Sequence, residues 1–338
     1  MGLKYILAAM FFVSLVFVNL IWIITNLYFF IIAGTESIFQ GDTFAENIYY
    51  SVYLKWILLF NILWIVGSLI FMLRRKDFKT NSKLHYLDYN KLHKPKVCVV
   101  IPTFNEKKSI EKVVRDFSSQ PFVEHVIVVD NNSSDNTVNI AESVGAIVIR
   151  KKQNMGFAHS YVLGLKEALK TDSNVILTTE AGDTYNGYDL SKMLPFLDNC
   201  DMVIGTRQYQ VLTEKGNQNS LLHVWGNLFL AKLIQIKYFN LLHMGSANLT
   251  DVGCIYRICS RNALEKILPK LTFSNSEHPI AGIAISLHIT ILGIENDLRL
   301  IEIPITFKKR IGKSKLQSNK KLKAIQYGLI YLWFILKI

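Results

Sequence analysis

Between residues 96 and 206, short β-branched runs alternate with longer segments whose apolar positions recur at helical spacing. Val97-Cys98-Val99-Val100-Ile101 leads into Pro102-Thr103-Phe104-Asn105-Glu106. Val126-Ile127-Val128-Val129 leads into Asp130-Asn131-Asn132-Ser133-Ser134-Asp135-Asn136-Thr137, and a helix-length charged segment separates the two runs. Apolar runs of this length closed by turn residues read as buried strands, and a helical spacer between two of them predicts parallel pairing in a βαβ unit. The pattern continues with a helix over 136–144 ended by Gly145, a strand over 146–150, and a turn at Asn154-Met155-Gly156. A helix over 157–170 follows, with Ala158, Val162, Leu165 and Leu169 on one face, then a strand over 174–179, a helix over 189–198 and a strand over 201–206. This alternation predicts an α/β domain with a mostly parallel sheet flanked by helices. Ligands of open α/β sheets bind outside the carboxyl ends of the strands, where these polar clusters sit.

The N-terminal part has a different pattern. Tyr5 to Gly34 contains no charged residue, which exceeds the roughly 20 apolar residues a spanning helix needs. It is too long for a signal peptide and lacks a small-residue cleavage site. Trp56 to Leu73 is a second apolar run, stopped by Arg74-Arg75-Lys76. The loop between them, Thr35 to Leu54, carries Glu36, Asp42 and Glu46 and no Lys or Arg, so the positive-inside bias puts that loop outside and the remainder of the chain in the cytoplasm. The expected organisation is a two-helix transmembrane anchor over 1–76, a polar linker over 77–95, a cytoplasmic domain over 96–315 and a basic, apolar, membrane-associated segment over 316–338. The hydrophobic share of 50% and mean hydropathy of +0.24 over 338 residues agree with partial membrane residence.

Two further segments bear on the membrane. Ser220 to Ile236, with Trp225, Leu228, Leu230 and Leu233, reads either as an amphipathic helix at the bilayer surface or as a buried core helix. Ala324 to Ile338 is apolar but short for a span, so it lies in the interface or leans into the bilayer.

Charge and cysteine usage narrow the chemistry. Cys98, Cys200, Cys254 and Cys259 show no C-x-x-C spacing, which points to reduced, mostly buried thiols in a reducing compartment. The eight histidines show no metal-ligand spacing, so no zinc site is proposed. Eight cations and no acid lie between 308 and 323, against a whole-chain net charge of +12. Such a run is attracted to anionic lipid. Nucleic acid is not an expected partner, because no recognition module accompanies the charge. Gly312-Lys313-Ser314 mimics the end of a P-loop, but Phe307 stands where its first glycine is required.

Pro102 to Glu106 followed by Asp130 to Thr137 resembles the nucleotide-binding half of family 2 glycosyltransferases of GT-A type, and most closely the dolichol- and polyprenyl-phosphate sugar synthases. The resemblance covers about Lys96 to Lys315. It implies a membrane-bound hexosyltransferase that uses a nucleotide-diphosphate sugar, with Pro102, Thr103, Glu106, Asp130 and Asn131 on the base and ribose. Many relatives have a second aspartate where this chain has Asn131. The residues alone also allow Asp130 to Asp135 to be a simple turn with Asx or N-cap bonds.

For the metal, the family places an Asp-x-Asp pair after the fourth strand, and here the sequence is Glu180-Ala181-Gly182-Asp183-Thr184-Tyr185. Counting back from Asp189 puts Glu180 on the first aspartate and Gly182 on the second. Magnesium and manganese take hard carboxylate oxygens plus substrate phosphates, and Glu180 and Asp183 can supply them if Gly182 lets the chain curl. The alternative for both is a polar helix entry.

Leu249-Thr250-Asp251-Val252-Gly253-Cys254 resembles the family segment whose aspartate lies near the reacting centre. Asp251 is then a general base, an indirect anchor, or a loop cap. Arg310, Ser314 and Lys315, after Ile303-Pro304-Ile305, resemble the segment that grips acceptor phosphate, and Arg207 after the strand at 201–206 is the remaining cation. A phosphate acceptor is mostly dianionic at neutral pH, so charge neutralisation and in-line positioning matter more than proton abstraction.

The resulting expectation is inverting transfer of a hexose to a polyprenyl phosphate with Mg2+ or Mn2+ as cofactor. Transfer to a lipid-linked saccharide or polysaccharide is the alternative within enzymes, although the Gln-x-x-Arg-Trp motif of processive synthases is absent. A non-catalytic nucleotide-sugar-binding membrane scaffold is the alternative of another class.

Overall fold

In the computed structural model of the chain, β1 (Val97–Thr103) is buried at every position, which is why its sequence shows no alternation. The structure describes residues 94–214, 221–238, 248–271, 284–312 and 321–337, together with 91–92 and scattered positions between 17 and 74. Residues 1–77 with Ile338, and residues 78–337, form two compact units.

In the second unit a seven-stranded sheet has the order β3-β2-β1-β4-β6-β5-β7. Its other strands are β2 (Val123–Asp130), β3 (Ile147–Arg150), β4 (Val175–Thr178), β5 (Met202–Thr206), β6 (Arg257–Ser260) and β7 (Leu300–Pro304). β1 pairs in parallel with β2 and β4, β2 with β3, and β5 with β7. β6 is antiparallel to both β4 and β5, so every other strand points the same way. The tips of β1, β2, β4, β5 and β7 therefore share one rim with the segment that enters β6.

β6 is an addition to the predicted strands. It has four residues, and its first, Arg257, is buried with its guanidinium donating to the Cys254 carbonyl at 2.6 Å and Thr290 Oγ1 at 3.2 Å. A charged residue in so short a run gives no strand signal. The predicted strand over 97–101 extends to Thr103, and the predicted helix over 189–198 divides at Pro195 into α4 (Asp189–Met193) and a 3-10 turn, Leu194–Asp198. Proline removes a backbone donor and disfavours continuation of an α-helix.

The helices preceding it are α1 (Ile110–Ser118), α2 (Thr137–Ser143) and α3 (Phe157–Ala168); α5 (Leu221–Lys237), α6 (Arg261–Ile267), α7 (Ile285–Glu295) and α8 (Lys321–Lys337) follow. On α1, Ile110, Val113, Val114 and Phe117 face the core. α5 and α8 pack together, with the buried Lys237 donating to the Ile335 carbonyl at 2.5 Å. The predicted segments 220–236 and 324–338 are thus partners. Leu322, Ile325, Leu329 and Trp333 of α8 and Leu222 and Trp225 of α5 remain exposed.

All four cysteines are free, three of them buried. The predicted spans, Tyr5–Gly34 and Trp56–Leu73, fall mostly outside the described residues. Described positions within them are helical. Among the described residues no helix is long and apolar enough to cross a membrane.

Glu302 on β7 ties the segment before β6 to the sheet. Its carboxylate accepts from Thr250 N and Thr250 Oγ1, both at 2.7 Å, and from Asp251 N at 3.1 Å, while Thr250 Oγ1 also contacts Thr206 Oγ1 at 2.8 Å. Burial pushes the Glu302 carboxyl up to about 7, and the hydrogen bonds from Thr250 and Asp251 only partly offset it. Between the ordinary 4.5 and about 7 the folded protein holds a proton the unfolded chain has released, so this contribution to stability falls as pH rises through that window. Thermal unfolding of the Glu302→Gln protein is expected to show a flatter pH profile there than wild type. A second expectation concerns α3, where a Cβ on Gly164 would lie 2.3 Å from Val100 Cγ1 and 3.0 Å from Val129 Cγ2. Gly164→Val should destabilise the domain by at least about 2 kcal/mol in chemical denaturation, because the packed sheet has no room for the added methyls.

Candidate active site

The tips of β1 and β2 are joined by a polar network. Thr103 and Asp130 are register partners, and Asn131 N donates to the Thr103 carbonyl at 2.8 Å. Asn105 N donates to Ser133 Oγ and Ser134 N to Asn105 Oδ1, both at 2.8 Å, and Glu106 N donates to Thr137 Oγ1 at 2.9 Å. Asp130 is buried, and its carboxylate accepts from Ser133 N at 3.0 Å, with Arg150 Nε at 4.0 Å. The polar turn read from the sequence is therefore present: Asp130 holds the N–H three residues on, and Asp135 Oδ1 makes the Asx bond, accepting from Thr137 N at 3.1 Å. Asn131 in turn donates to Asn154 Oδ1 at 2.6 Å and accepts from Met155 N at 3.0 Å, which draws in the loop after β3.

The loop after β4 carries the second set of acids. Asp183 is buried and has φ +57°, a left-handed conformation that aspartate tolerates better than most residues. Lys112 of α1 donates to Asp183 Oδ2 at 2.6 Å, and Lys308 Nζ lies 3.5 Å from Asp183 Oδ1. Arg310 spans two loops, with Nη1 donating to Glu180 Oε2 at 2.9 Å and Nη2 donating to Glu106 Oε1. Its side chain lies against Gly182, where a Cβ would stand 2.5 Å from Nη1. The backbone of the Arg310 segment is fastened to the same loop, since Lys308 N donates to the Thr184 carbonyl at 2.7 Å and Ile311 N to the Gly182 carbonyl at 3.0 Å.

Beyond β5 the arrangement changes to a closed ion pair. Arg207 Nε and Nη2 donate to the two Asp251 oxygens at 2.6 and 2.8 Å, and the Asp251 side chain is fully buried. Burial pushes the Asp251 carboxyl up, but the charge and hydrogen bonds of Arg207 more than reverse this and hold it below its usual value. The Arg207 guanidinium stacks over the Phe307 ring at 5.1 Å, and Phe307 meets Tyr185 at 5.7 Å between ring centres. Through those rings the pair adjoins the Glu180–Tyr185 loop.

The rim thus brings together Pro102, Thr103, Glu106, Asp130, Asn131, Glu180, Asp183, Arg207, Asp251 and Arg310. Ser314 and Lys315 lie outside the described residues. The sequence reading did not single out Lys112, Glu302 or Asn154. Lys112 belongs to the polar face of an amphipathic helix, and only the fold turns it toward Asp183. Lys151 was also missed: it is buried behind Asp130, and burial lowers its ammonium to about 8 although the Asp130 charge acts in the opposite direction.

Glu180 and Asp183 offer hard oxygen donors that already attract cations of the chain. This donor set fits magnesium or manganese, which take one or two protein carboxylates with substrate phosphates completing the shell. A separate acidic group, Glu124, His125 and Asp172, lies at the opposite rim, is partly exposed, and is bridged by Lys96.

The family model described as glycosyl transferase family 2 matches residues 98–268. The polyprenol monophosphomannose synthase of Mycolicibacterium smegmatis is 28% identical over 236 residues, covering 67% of this chain and 83% of that protein. The undecaprenyl-phosphate mannosyltransferase of Micrococcus luteus is 23% identical over 250 residues, covering 70% and 96%. Among solved structures, glucosyl-3-phosphoglycerate synthase of Mycobacterium tuberculosis, in complex with Mn2+, UDP and glucosyl-3-phosphoglycerate, superposes with a TM-score of 0.51 at 16% identity, covering 77% of this chain and 86% of that one. The fold is accordingly that of GT-A glycosyltransferases, and the chain, an enzyme that transfers a sugar, belongs to glycosyl transferase family 2.

Proposed function

We propose that the chain moves a hexose from a nucleotide-diphosphate sugar to a polyprenyl phosphate such as dolichyl or undecaprenyl phosphate, with inversion at the anomeric carbon. The observation that carries this reading is the meeting of three carboxylates, Glu106, Glu180 and Asp183, with three cations, Lys112, Lys308 and Arg310, on one rim. A site for a diphosphate donor and a phosphate acceptor needs both signs of charge within a few ångströms, because it must bind two anions and then separate them. The relatives named for polyprenol and undecaprenyl phosphate support the acceptor class.

In this reading Pro102, Thr103, Glu106 and Asn131 face the nucleoside, and Asp130 shapes their loop through its turn. A magnesium or manganese ion held by Glu180 and Asp183 would neutralise the diphosphate leaving group. An acceptor phosphate oxygen attacks the anomeric carbon from the face opposite the diphosphate. As that bond forms, the bond from carbon to the β-phosphate oxygen breaks and the nucleoside diphosphate leaves. No base is required, since a phosphate monoester with a second pKa of about 6 is already mostly dianionic. Asp251, charged and clamped by Arg207, is suited to anchoring that guanidinium near the reacting centre. Arg310, with Ser314 and Lys315, presents the acceptor phosphate.

The same reading gives the chain a membrane address. It assigns residues 1–76 to a two-helix anchor, 77–95 to a linker, 96–315 to the cytoplasmic catalytic domain and 316–338 to a membrane-associated end. Helical positions Ile21, Ile24, Ile31, Ile62, Ile65 and Val66 expose apolar side chains, as lipid-facing residues do. The exposed stripe Leu322, Ile325, Leu329 and Trp333 lies in a segment, 308–338, that has no acid. Apolar residues flanked by cations suit an anionic bilayer surface.

Purified protein incubated with polyprenyl phosphate and a panel of labelled nucleotide sugars is expected to place label in a solvent-extractable, mild-acid-labile lipid. If no common donor does so, the acceptor assignment falls. Glu180→Gln and Asp183→Asn should each lower that transfer by at least about 100-fold, the ordinary loss when one electrostatic stabiliser of the leaving charge is removed. Arg207→Met should cost about 3–5 kcal/mol of stability, because it strands a buried carboxylate. Adding Asp251→Leu to it is expected to restore much of the stability but none of the transfer, which separates the structural part of the pair from its part in the reaction.

A further inference from the structure

We propose that Arg310 is an exchangeable counter-ion: in the donor-free protein it neutralises Glu106 and Glu180, and a divalent cation must displace it before its guanidinium can turn to a phosphate. The inference rests on the metal assignment made above and adds to it a competition for Glu180 between the metal and an arginine of the chain.

The geometry points to a side-chain exchange on a fixed backbone. Thr306 N donates to Asp189 Oδ2 at 2.8 Å, Lys308 N to the Thr184 carbonyl at 2.7 Å and Ile311 N to the Gly182 carbonyl at 3.0 Å. Backbone bonds thus pin the strap on both sides of Arg310 and leave its side chain as the movable part. That side chain is incompletely satisfied, since its Nε is buried and finds no hydrogen-bond partner among the described residues. A buried donor without a partner weakens the state that holds it there.

Charge counting gives the direction of the exchange. Arg310, Lys112 and Lys308 pair with Glu106, Glu180 and Asp183, three charges of each sign. A divalent cation on Glu180 and Asp183 takes over their neutralisation and releases Arg310 and Lys308 as net positive charge beside the bound phosphates. One and the same carboxylate, Glu180, cannot be fully held by Arg310 and by a metal together. The two cations therefore compete, and two ligands competing for one site reduce each other's affinity reciprocally.

Gly182 provides an independent handle. A Cβ there would lie 2.5 Å from Arg310 Nη1 and 2.6 Å from Cζ, the far end of a flexible side chain, so an alanine unseats the guanidinium without touching a carboxylate. The test is Mn2+ binding to the full-length protein in detergent, read from the free-ion EPR signal, with no nucleotide and no turnover. Arg310→Met is expected to tighten Mn2+ by about tenfold, an ordinary coupling between competing ligands. Gly182→Ala should shift it the same way by a smaller factor, Arg310→Lys should fall between wild type and Arg310→Met, and Glu180→Gln should abolish the effect. If both Arg310→Met and Gly182→Ala bind Mn2+ as wild type does, or more weakly, while melting within a few degrees of it, the exchange is overturned and the metal assignment stands. If Mn2+ binds neither wild type nor any variant, both are overturned. Should Arg310→Met fail to fold, Gly182→Ala decides the outcome alone.

Discussion

The rest of the structure depends on one constraint: the interior of the sheet cannot hold unpaired charge. β1 is buried throughout, and the inner halves of β2 and β4 are apolar and buried, so ionisable groups appear only where these strands run out. Taking an isolated carboxylate into such an interior costs far more than a domain's net stability. Parallel strands with a common direction therefore place their acids along one rim, where loop backbone and neighbouring cations can serve them. Glu106, Asp130, Glu180 and Asp183 each obtain such partners there.

The acids on this rim are served in two physically different ways. Asp251 is closed off by a bidentate guanidinium and by the Glu302 tether behind it, a geometry in which partner loss would be expensive. Glu180 and Asp183 are instead paired with side chains that reach in from α1 and the 308–311 segment, and Lys112 is itself well exposed. The Lys112 ammonium is open to solvent and screened by salt, whereas Asp183, Arg310 and Glu180 are mostly buried. A fixed pair suits a group that must keep its place through turnover, and a loose pair suits groups that must change partners.

Much of this was legible in the sequence because apolar runs and turn residues are local signals. Val97 to Ile101, Val126 to Val129 and the polar stretches behind them announce strands and strand ends without any knowledge of the fold. What could not be read is what depends on pairing across the sheet. β6 is hidden because Arg257 looks like a surface residue until Thr290 and the Cys254 carbonyl are seen to hold it. Lys112 looks like one of several lysines on a polar helix face, and Glu302 like the polar position of an edge strand. Their roles arise from residues 71 and about 50 positions away, a separation over which sequence pattern carries no information. The segments at 220–236 and 324–338 each read as helices, yet only the fold shows that they cover one another.

The spacing of the acidic motif completes the picture. Glu180 and Asp183 are one residue further apart than an Asp-x-Asp pair, which in an extended chain would turn the second carboxylate to the other side, since successive side chains alternate. The left-handed φ of +57° at Asp183 breaks that alternation, and Lys112 and Lys308 receive its carboxylate on the rim at the strand tips. Gly182 has a second reason to lack a side chain, because the Arg310 guanidinium lies where a Cβ would be. In that register glycine stands where the second aspartate would be, the acid sits one position later, and the space at Gly182 seats a cation. A strict Asp-x-Asp would place a side chain at 182 and exclude Arg310, so the altered motif and the arginine strap are two halves of one arrangement.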